Sequence, residues 1–264
     1  MKLGISSKGS GISQIATAGA LCALRENAII PNLAVATGLF SYIVALFSTY
    51  TKDEDIIKHL CEIKRPILKL SRGKRIGFIL FPKLTTRDML YKNIKRALPK
   101  KDRFSSLDID LAITAVDVLS SQLYIYSAKK ISAPQNAVVT DENLHKAIRY
   151  SQGGCGTVLP FFDGGRYMAT SSACMLSQGA LLSSMGADKT IEIEIISRDE
   201  ERTSLLSLCE SKLQKQDKWK ADYKLTIDVT DIDITDKNSV ILLFEKGKEK
   251  TQKMIGDLVF SLYI

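Results

Sequence analysis

A run of 24 residues without a charged side chain, from Ala28 to Thr51, constrains the fold of this 264-residue chain more than any other feature. The run is long enough for a membrane-spanning helix. However, a Pro-Asn pair stands near its start, and the polar residues Thr37 and Ser41 lie inside it. These interruptions favour a buried strand at 33–35, a tight turn of small residues and a buried helix from about Leu39.

Strand-like and helix-like segments alternate along most of the chain. Residues 109–119 are mostly apolar, as in a buried strand, whereas residues 225–234 alternate between apolar and polar, as in a half-exposed one. Strands alternating with helices predict an α/β fold with a central, mostly parallel sheet flanked by helices. Further strands are predicted at 2–6, 123–127, 191–196 and 240–244, and helices at 12–24, 142–149 (capped by Asp141), 202–215 and 246–258.

The domain organisation follows from changes in character along the sequence. We expect residues 1–196 to form an α/β domain and residues 197–264 to form a C-terminal α/β extension packed on the same domain. Within the first part, residues 52–103 are predicted to be a charged, mainly helical insertion. Helix-disfavouring residues should break this insertion at Pro66, Gly73, Pro82 and Pro99.

The cysteine and histidine content narrows the chemistry. Five scattered cysteines, none in a CxxC pair, argue against a disulfide framework and against a cysteine-rich zinc site. The only histidines are His59 and His145, and both are expected to be packing or surface residues. We therefore expect no metal and no cofactor. With no signal-peptide core at its start, the chain is expected to be cytoplasmic, with peripheral attachment to a membrane as the open alternative.

Positive charge is concentrated in one part of the chain. Between Lys58 and Arg103, fifteen Lys or Arg stand against three acidic residues, which gives this segment a charge of +12. Because the net charge of the chain is +8, the remaining residues together carry −4. Such a field suits an anionic membrane surface, a nucleic acid or an acidic protein, although a solvated helical surface would look the same. No aromatic stacking platform accompanies it, which disfavours nucleic acid. The residues of this predicted basic patch are Lys64, Arg65, Arg72, Lys74, Arg75, Lys95, Arg96, Lys100 and Lys101.

A glycine turn follows the first predicted strand. Gly9, Ser10 and Gly11 begin a pattern like GxGxxG, but Gln14 stands at its sixth position, and no GxxxxGK[ST] sequence occurs. The turn is therefore only weak evidence of nucleotide binding. It can still present backbone N–H groups to an anion, including a developing oxyanion.

Six landmarks follow one another in a recognisable order: residues 9–11, 19–24, 29–40, 115–118, 147–151 and 186–188. Their order and spacing over residues 2–196 resemble the patatin-like phospholipases, α/β acyl hydrolases with a Ser-Asp dyad and no catalytic histidine. The resemblance implies a three-layer fold, with Gly9, Ser10 and Gly11 as the oxyanion loop and residues 37–40 as the nucleophile elbow.

The same resemblance shows where this chain departs from the family. Gly38 stands where the nucleophilic serine belongs, so no acyl-enzyme can form there. Phe40 replaces the second elbow glycine and is expected to crowd the site. Spacing places Ala169 where the catalytic aspartate belongs, which would make Asp163 a hairpin residue. The alternative alignment takes Asp163, in its Asp-Gly-Gly sequence, as that aspartate.

These departures predict a catalytically inactive patatin-like protein with a binding, scaffold or assembly role. A protein partner or a second copy of the chain is expected. An anionic membrane surface, and a lipid held in the vestigial pocket, stay open. The alternative is a lipid acyl hydrolase of the phospholipase A type with a displaced nucleophile. Its serine would be Ser6, Ser7 or Ser10, and its base Asp163 or Asp117.

Overall fold

The computed structural model describes residues 1–9, 11–73, 88–132, 137–153, 158, 160–171, 177–198 and 220–263, with the backbone alone at 65–73 and 263. Within these ranges the strands are β1 (Leu3–Lys8), β2 (Leu33–Ala36), β3 (Asp110–Asp117), β4 (Gln122–Tyr126), β5 (Ala137–Thr140), β6 (Phe161–Asp163), β7 (Arg166–Thr170), β8 (Lys189–Ile196) and β9 (Tyr223–Asp228). The α-helices are α1 (Ala16–Glu26), α2 (Leu39–Phe47), α3 (Asp53–Gly73), α4 (Met89–Ala97), α5 (Leu144–Gln152), α6 (Gln178–Ser184) and α7 (Ser239–Tyr263). Short 3₁₀ turns lie at Gly11–Ile15 and Phe104–Ser106.

The strands form one mixed sheet in the order β5-β4-β3-β2-β1-β8-β9. From β3 to β9 along this order all neighbours are parallel, as are β4 and β5. Strands β4 and β7 run antiparallel to β3, and β6 runs antiparallel to β7. The predicted α/β fold with a mostly parallel central sheet is confirmed.

The two faces of the sheet pack against different helices. Along β2, Ala34 and Ala36 belong to the main core, to which α1, α2, α3, α4, α5 and α7 contribute. The alternate residues Leu33 and Val35 face a smaller core with Leu181 and Leu182 of α6. Helices therefore cover both faces, and the described chain has three layers.

The uncharged run forms the predicted strand, turn and helix. Every side chain of β2 and of α2 is buried, because both elements lie inside the layered core. No helix in the ranges given above is both long enough and apolar enough to span a membrane.

The strand predicted at 240–244 is wrong, because these residues begin α7. Val240, Leu243 and Phe244 are buried, whereas Ile241 and Leu242 are exposed. This spacing of three and four is that of a helix face. A five-residue apolar run is too short to reveal its period, so the sequence alone favoured a strand.

Three local predictions also need correction. The strand predicted at 225–234 ends at Asp228, because the Asp228 and Asp233 carboxylates accept hydrogen bonds from N–H groups two residues on and form turns. Asn143, rather than Asp141, caps α5. Pro66 lies inside α3 instead of breaking it. The helix predicted at 202–215 falls outside the described residues.

Helices α1 and α7 approach each other so closely that their backbones touch. A β-carbon on Gly19 would lie 1.8 Å from the Phe244 carbonyl oxygen, and one on Gly247 would lie 1.9 Å from the Ala16 carbonyl oxygen. Real β-carbons do not occur at such distances, so only glycine fits at either position. This contact fixes the C-terminal helix on the main core, while β9 extends the sheet beside β8.

We expect Gly19→Ala and Gly247→Ala each to lower the free energy of unfolding by about 3 kcal/mol, since the helices must separate to admit the methyl group. Gly256→Ala is the matched control. Gly256 is exposed in the same helix with nothing near its β-carbon position, so alanine should stabilise by about 0.5–1 kcal/mol. Urea unfolding followed by circular dichroism measures all three. Equal effects at positions 247 and 256 would contradict the close contact.

Candidate functional site

A sharp turn joins the end of β2 to the start of α2. Gly38 occupies it with φ 61° and ψ −144°, a conformation that strains any residue with a side chain. Its N–H donates to the Ser151 carbonyl oxygen of α5 at 3.0 Å. A strained strand-to-helix turn of this kind presents the nucleophile in α/β hydrolases. Here the turn is formed, but its central residue carries no reactive group.

The Gln14 side chain holds this turn against the glycine loop after β1. Its Oε1 accepts a hydrogen bond from the Phe40 N–H at 3.2 Å, and its Nε2 donates to the Gly9 carbonyl oxygen at 2.9 Å. A β-carbon on Gly38 would lie 3.5 Å from Oε1. Since the first N–H groups of a helix need outside acceptors, the buried Gln14 caps α2 in place of an N-cap side chain. The Phe40 N–H, which could otherwise face an anion, is therefore already hydrogen-bonded to Gln14.

Hydroxyl groups surround the elbow from the side of β7. Thr37 Oγ1 donates to the Thr114 carbonyl oxygen at 3.0 Å and lies 3.0 Å from Thr170 Oγ1. Ser171 Oγ donates to Thr114 Oγ1 at 2.6 Å. The last two residues of β7 and the following Ser171, residues 169–171, therefore border the elbow. Ala169 itself pairs with Val116 and brings no carboxylate.

The serine that follows the elbow is also engaged. Ser41 Oγ donates to the Gly38 carbonyl oxygen at 2.7 Å and lies 2.9 Å from Ser151 Oγ. Both Ser41 and Ser151 are fully buried. No carboxylate of the described chain hydrogen-bonds to Thr37 or Ser41, so neither hydroxyl has a neighbouring base to activate it.

Asp163 lies at the far end of β7 from the elbow. It pairs with Arg166, four residues before Thr170, which places it about 13 Å along the strand from the hydroxyl cluster. Its carboxylate accepts hydrogen bonds from Lys146 Nζ, at 3.0 Å, and from the Tyr150 hydroxyl. Burial alone would raise the pKa of Asp163, but these two donors outweigh it and hold that pKa below its ordinary value. The structure places this carboxylate in a hairpin contact.

The other groups considered for a displaced site are not arranged for catalysis. Ser6 and Ser7 are fully buried in β1, and neither hydroxyl has a hydrogen-bond partner within the described chain. Ser10 lies outside the described residues. Asp117 accepts hydrogen bonds from the N–H groups of Leu119 and Tyr167 and from the Ser120 hydroxyl. It therefore orders the turn after β3.

Phe40 does not crowd the elbow. Its side chain is buried in the main core, and its N–H donates to Gln14. Apart from the adjoining residues, only Gln14 Oε1 would lie within 4 Å of a β-carbon on Gly38. The Phe40 ring therefore does not produce the expected crowding at Gly38.

The predicted basic patch is only partly a surface. Lys64 is buried, and its Nζ donates to the Ser239 hydroxyl at 2.7 Å and to the Asp236 carbonyl oxygen, so it anchors α3 to the start of α7. Lys95, Arg96 and Lys100 are exposed, and Arg96 pairs with Glu62. Lys101 donates to the Ser106 carbonyl oxygen. Side chains are not described at Arg65 and Arg72, and Lys74 and Arg75 lie outside the described residues.

Both histidines make packing contacts. The His59 ring lies 3.4 Å from a Glu62 carboxylate oxygen and 5.0 Å, between centroids, from the Tyr50 ring. His145 Nε2 lies 2.8 Å from the Leu98 carbonyl oxygen. In the part of the chain that is described, no three His, Cys, Asp or Glu side chains come together as metal ligands would.

Replacement of Gln14 tests its role as a cap. Gln14→Leu should lower the free energy of unfolding by about 1–3 kcal/mol, since it leaves the Phe40 N–H and the Gly9 carbonyl group buried without partners. Gln152→Leu is the matched control, because neither atom of that buried amide has a hydrogen-bond partner among the described residues. The Gln152→Leu substitution should leave the free energy of unfolding, measured with urea, unchanged. A smaller loss for Gln14→Leu than for Gln152→Leu would contradict the assignment.

Asp163→Asn should reduce stability at pH 7 by about 1 kcal/mol, a value that allows for partial exposure. Because the pKa of Asp163 is lowered in the folded chain, its contribution is complete above the unfolded-state pKa of about 4 and is lost as pH falls further. The variant and the parent should therefore converge at acidic pH in thermal unfolding. Asp108→Asn, at an exposed aspartate, should show no such difference at either pH. A stability difference between parent and Asp163→Asn that stays constant down to pH 2 would contradict this role of the Asp163 carboxylate.

Comparisons with known proteins found no family model and no curated protein that matches this sequence. Among solved structures, VipD from Legionella pneumophila is similar, with 10% identity and a TM-score of 0.47, over 97% of this chain and 67% of that one. The type III effector ExoU follows at 10% identity and 0.42, over 97% and 53%. In the ExoU–SpcU heterodimer from Pseudomonas aeruginosa the values are 14% and 0.38, over 97% and 51%. The chain spans about half the length of the ExoU chains.

Proposed function

We propose that this chain is a catalytically silent, patatin-like protein that acts by binding or as a scaffold in an assembly. The observation that carries the proposal is Gly38, the central residue of a formed elbow turn with no side chain. Covalent acyl transfer needs a nucleophile at the elbow, a base that activates it and N–H donors for the oxyanion. The first of these is missing at this position.

The surroundings of Gly38 support the same proposal. Thr170 and Ser171, which border the elbow, contribute hydroxyl groups where a base would be needed, and Ala169 contributes none. Gln14 already bonds the Phe40 N–H at the start of α2. The alternative, a displaced nucleophile, finds less support, because Ser6 and Ser7 are closed off from solvent and Asp163 lies at the opposite end of β7.

Hydrolysis assays test the proposal directly. The purified chain should not cleave a short-chain ester or a phospholipid above the buffer rate, and no serine should be labelled by a fluorophosphonate. Two variants ask whether the turn is still competent: Gly38→Ser combined with Ala169→Asp, and Gly38→Ser combined with Thr170→Asp. A serine β-carbon fits at position 38, since its nearest neighbour would be Gln14 Oε1 at 3.5 Å. We expect one of the two to gain ester turnover and labelling at residue 38.

Gly38→Ala is the control, because it adds the same strain without a hydroxyl group. Turnover by the parent that disappears on changing Ser6, Ser7 or Ser10 to alanine would overturn the proposal. The chain would then be an acyl hydrolase with a relocated nucleophile.

A further inference from the structure

The β3–β4 and β6–β7 hairpins extend beyond the end of β2, where the elbow lies, and bring apolar side chains into one row. Asp117 of β3 pairs with Met168 of β7, so the next residue, Val118, lies beside Tyr167 and donates its N–H to that carbonyl oxygen at 2.9 Å. Tyr167 pairs in turn with Phe162, and their ring centroids are 4.9 Å apart. Val118, Tyr167 and Phe162 thus follow one another across three adjacent segments. Together with Leu119, the residue after Val118, they form the apolar row.

This row points away from the main core. Met168 and Phe161 contact that core, so their strand neighbours Tyr167 and Phe162 face the opposite side. Leu119 stands at the tip of the β3–β4 turn with 70% of its surface exposed, and Val118 and Phe162 are 52% and 40% exposed. Such exposure of large apolar side chains, gathered in one place, marks an interaction surface.

The turn that carries Val118 and Leu119 is held in place from inside. The buried Asp117 carboxylate accepts hydrogen bonds from the N–H groups of Leu119 and Tyr167 and from the Ser120 hydroxyl. One buried acceptor therefore ties both hairpins together. The apolar row is presented by an ordered support, so little conformational freedom is lost when it meets a partner.

We propose that this row, formed by Val118, Leu119, Phe162 and Tyr167, inserts into the surface of a lipid bilayer. Val118, Leu119 and Phe162 together expose roughly 300 Å² of surface. This area is well below the roughly 800 Å² that each partner contributes to a stable protein complex. Insertion of a few apolar side chains beside an aromatic ring with a polar end suits the bilayer interface.

The charges of the row indicate which lipids are relevant. None of its four members is charged, and the adjoining turn residues Ser120, Ser121, Gly164 and Gly165 are small and neutral. An uncharged apolar tip needs no anionic headgroup. The expected partner is therefore a zwitterionic bilayer, which separates this surface from the exposed Lys95, Arg96 and Lys100.

The location of the row relates the bilayer to the elbow. Thr170, which touches the hydroxyl cluster, follows Tyr167 by three residues on β7, or about 10 Å. A bilayer in contact with the row would lie over the elbow end of the sheet. The inference rests on the proposed binding role and names the partner.

Flotation with phosphatidylcholine vesicles tests the inference on the full chain. The parent should bind them, and binding should persist in 0.5 M salt. The double variant Val118→Asp/Leu119→Asp should bind about tenfold more weakly or not at all. Ile241→Asp/Leu242→Asp is the matched control, since it makes the same change at 46% and 49% exposed residues of α7, and it should bind like the parent.

Phe162→Ser provides a second variant, and thermal unfolding shows whether each variant is folded. The inference is overturned if the parent does not bind neutral vesicles or if the Val118/Leu119 variant binds as well as the parent. Binding only to phosphatidylserine vesicles, abolished by salt, would assign membrane contact to the lysine and arginine residues instead. A light-scattering mass that falls from dimer to monomer in the same variant would make the row a protein interface. Vesicle binding by a parent that also cleaves esters would keep this inference and contradict the silent elbow.

Discussion

The backbone contact between α1 and α7 determines where the candidate site can form. It sets the position of α1, and the 3₁₀ turn that carries Gln14 runs directly into that helix. Thr17 at the start of α1 donates to the Gln14 carbonyl oxygen at 2.7 Å. Lys248, next to Gly247, bonds Glu26 and Asp53 and so ties α7 to the end of α1 and the start of α3. A helix from the end of the chain thus supports a cap near its beginning.

Two features stabilise the elbow, whose central residue has no side chain. A residue with a side chain at φ 61° would carry a strain of about 1–3 kcal/mol, and glycine avoids it. The Gln14 amide accepts a hydrogen bond from the Phe40 N–H at the start of α2, a group that would otherwise be buried without a partner. Both features make this turn a stable part of the fold.

Sequence patterns predicted the elements in which local signals agree. The strand and helix of the uncharged run were evident because polar interruptions fixed the turn between them. The start of α7 was missed, since Val240–Phe244 is short and the partner that selects its buried face, α1, is more than 200 residues away. The role of Gln14 depends on a contact between residues 14 and 40, and a glutamine in a glycine-rich turn gives no sign of it. The position of Asp163 could be predicted from spacing, but its partners Lys146 and Tyr150 required the fold.

One edge of β3 is shared between two strands, and this arrangement limits how such a chain can vary in length. Residues 110–113 pair with β2 and residues 115–117 pair with β7 on that same edge. The elbow turn fills the junction, so β2 cannot grow without displacing β7. One residue inserted between Leu33 and Gly38 would also reverse the alternation of β2 and move its apolar side chains to the wrong core. Insertions and deletions in related chains should therefore spare this junction.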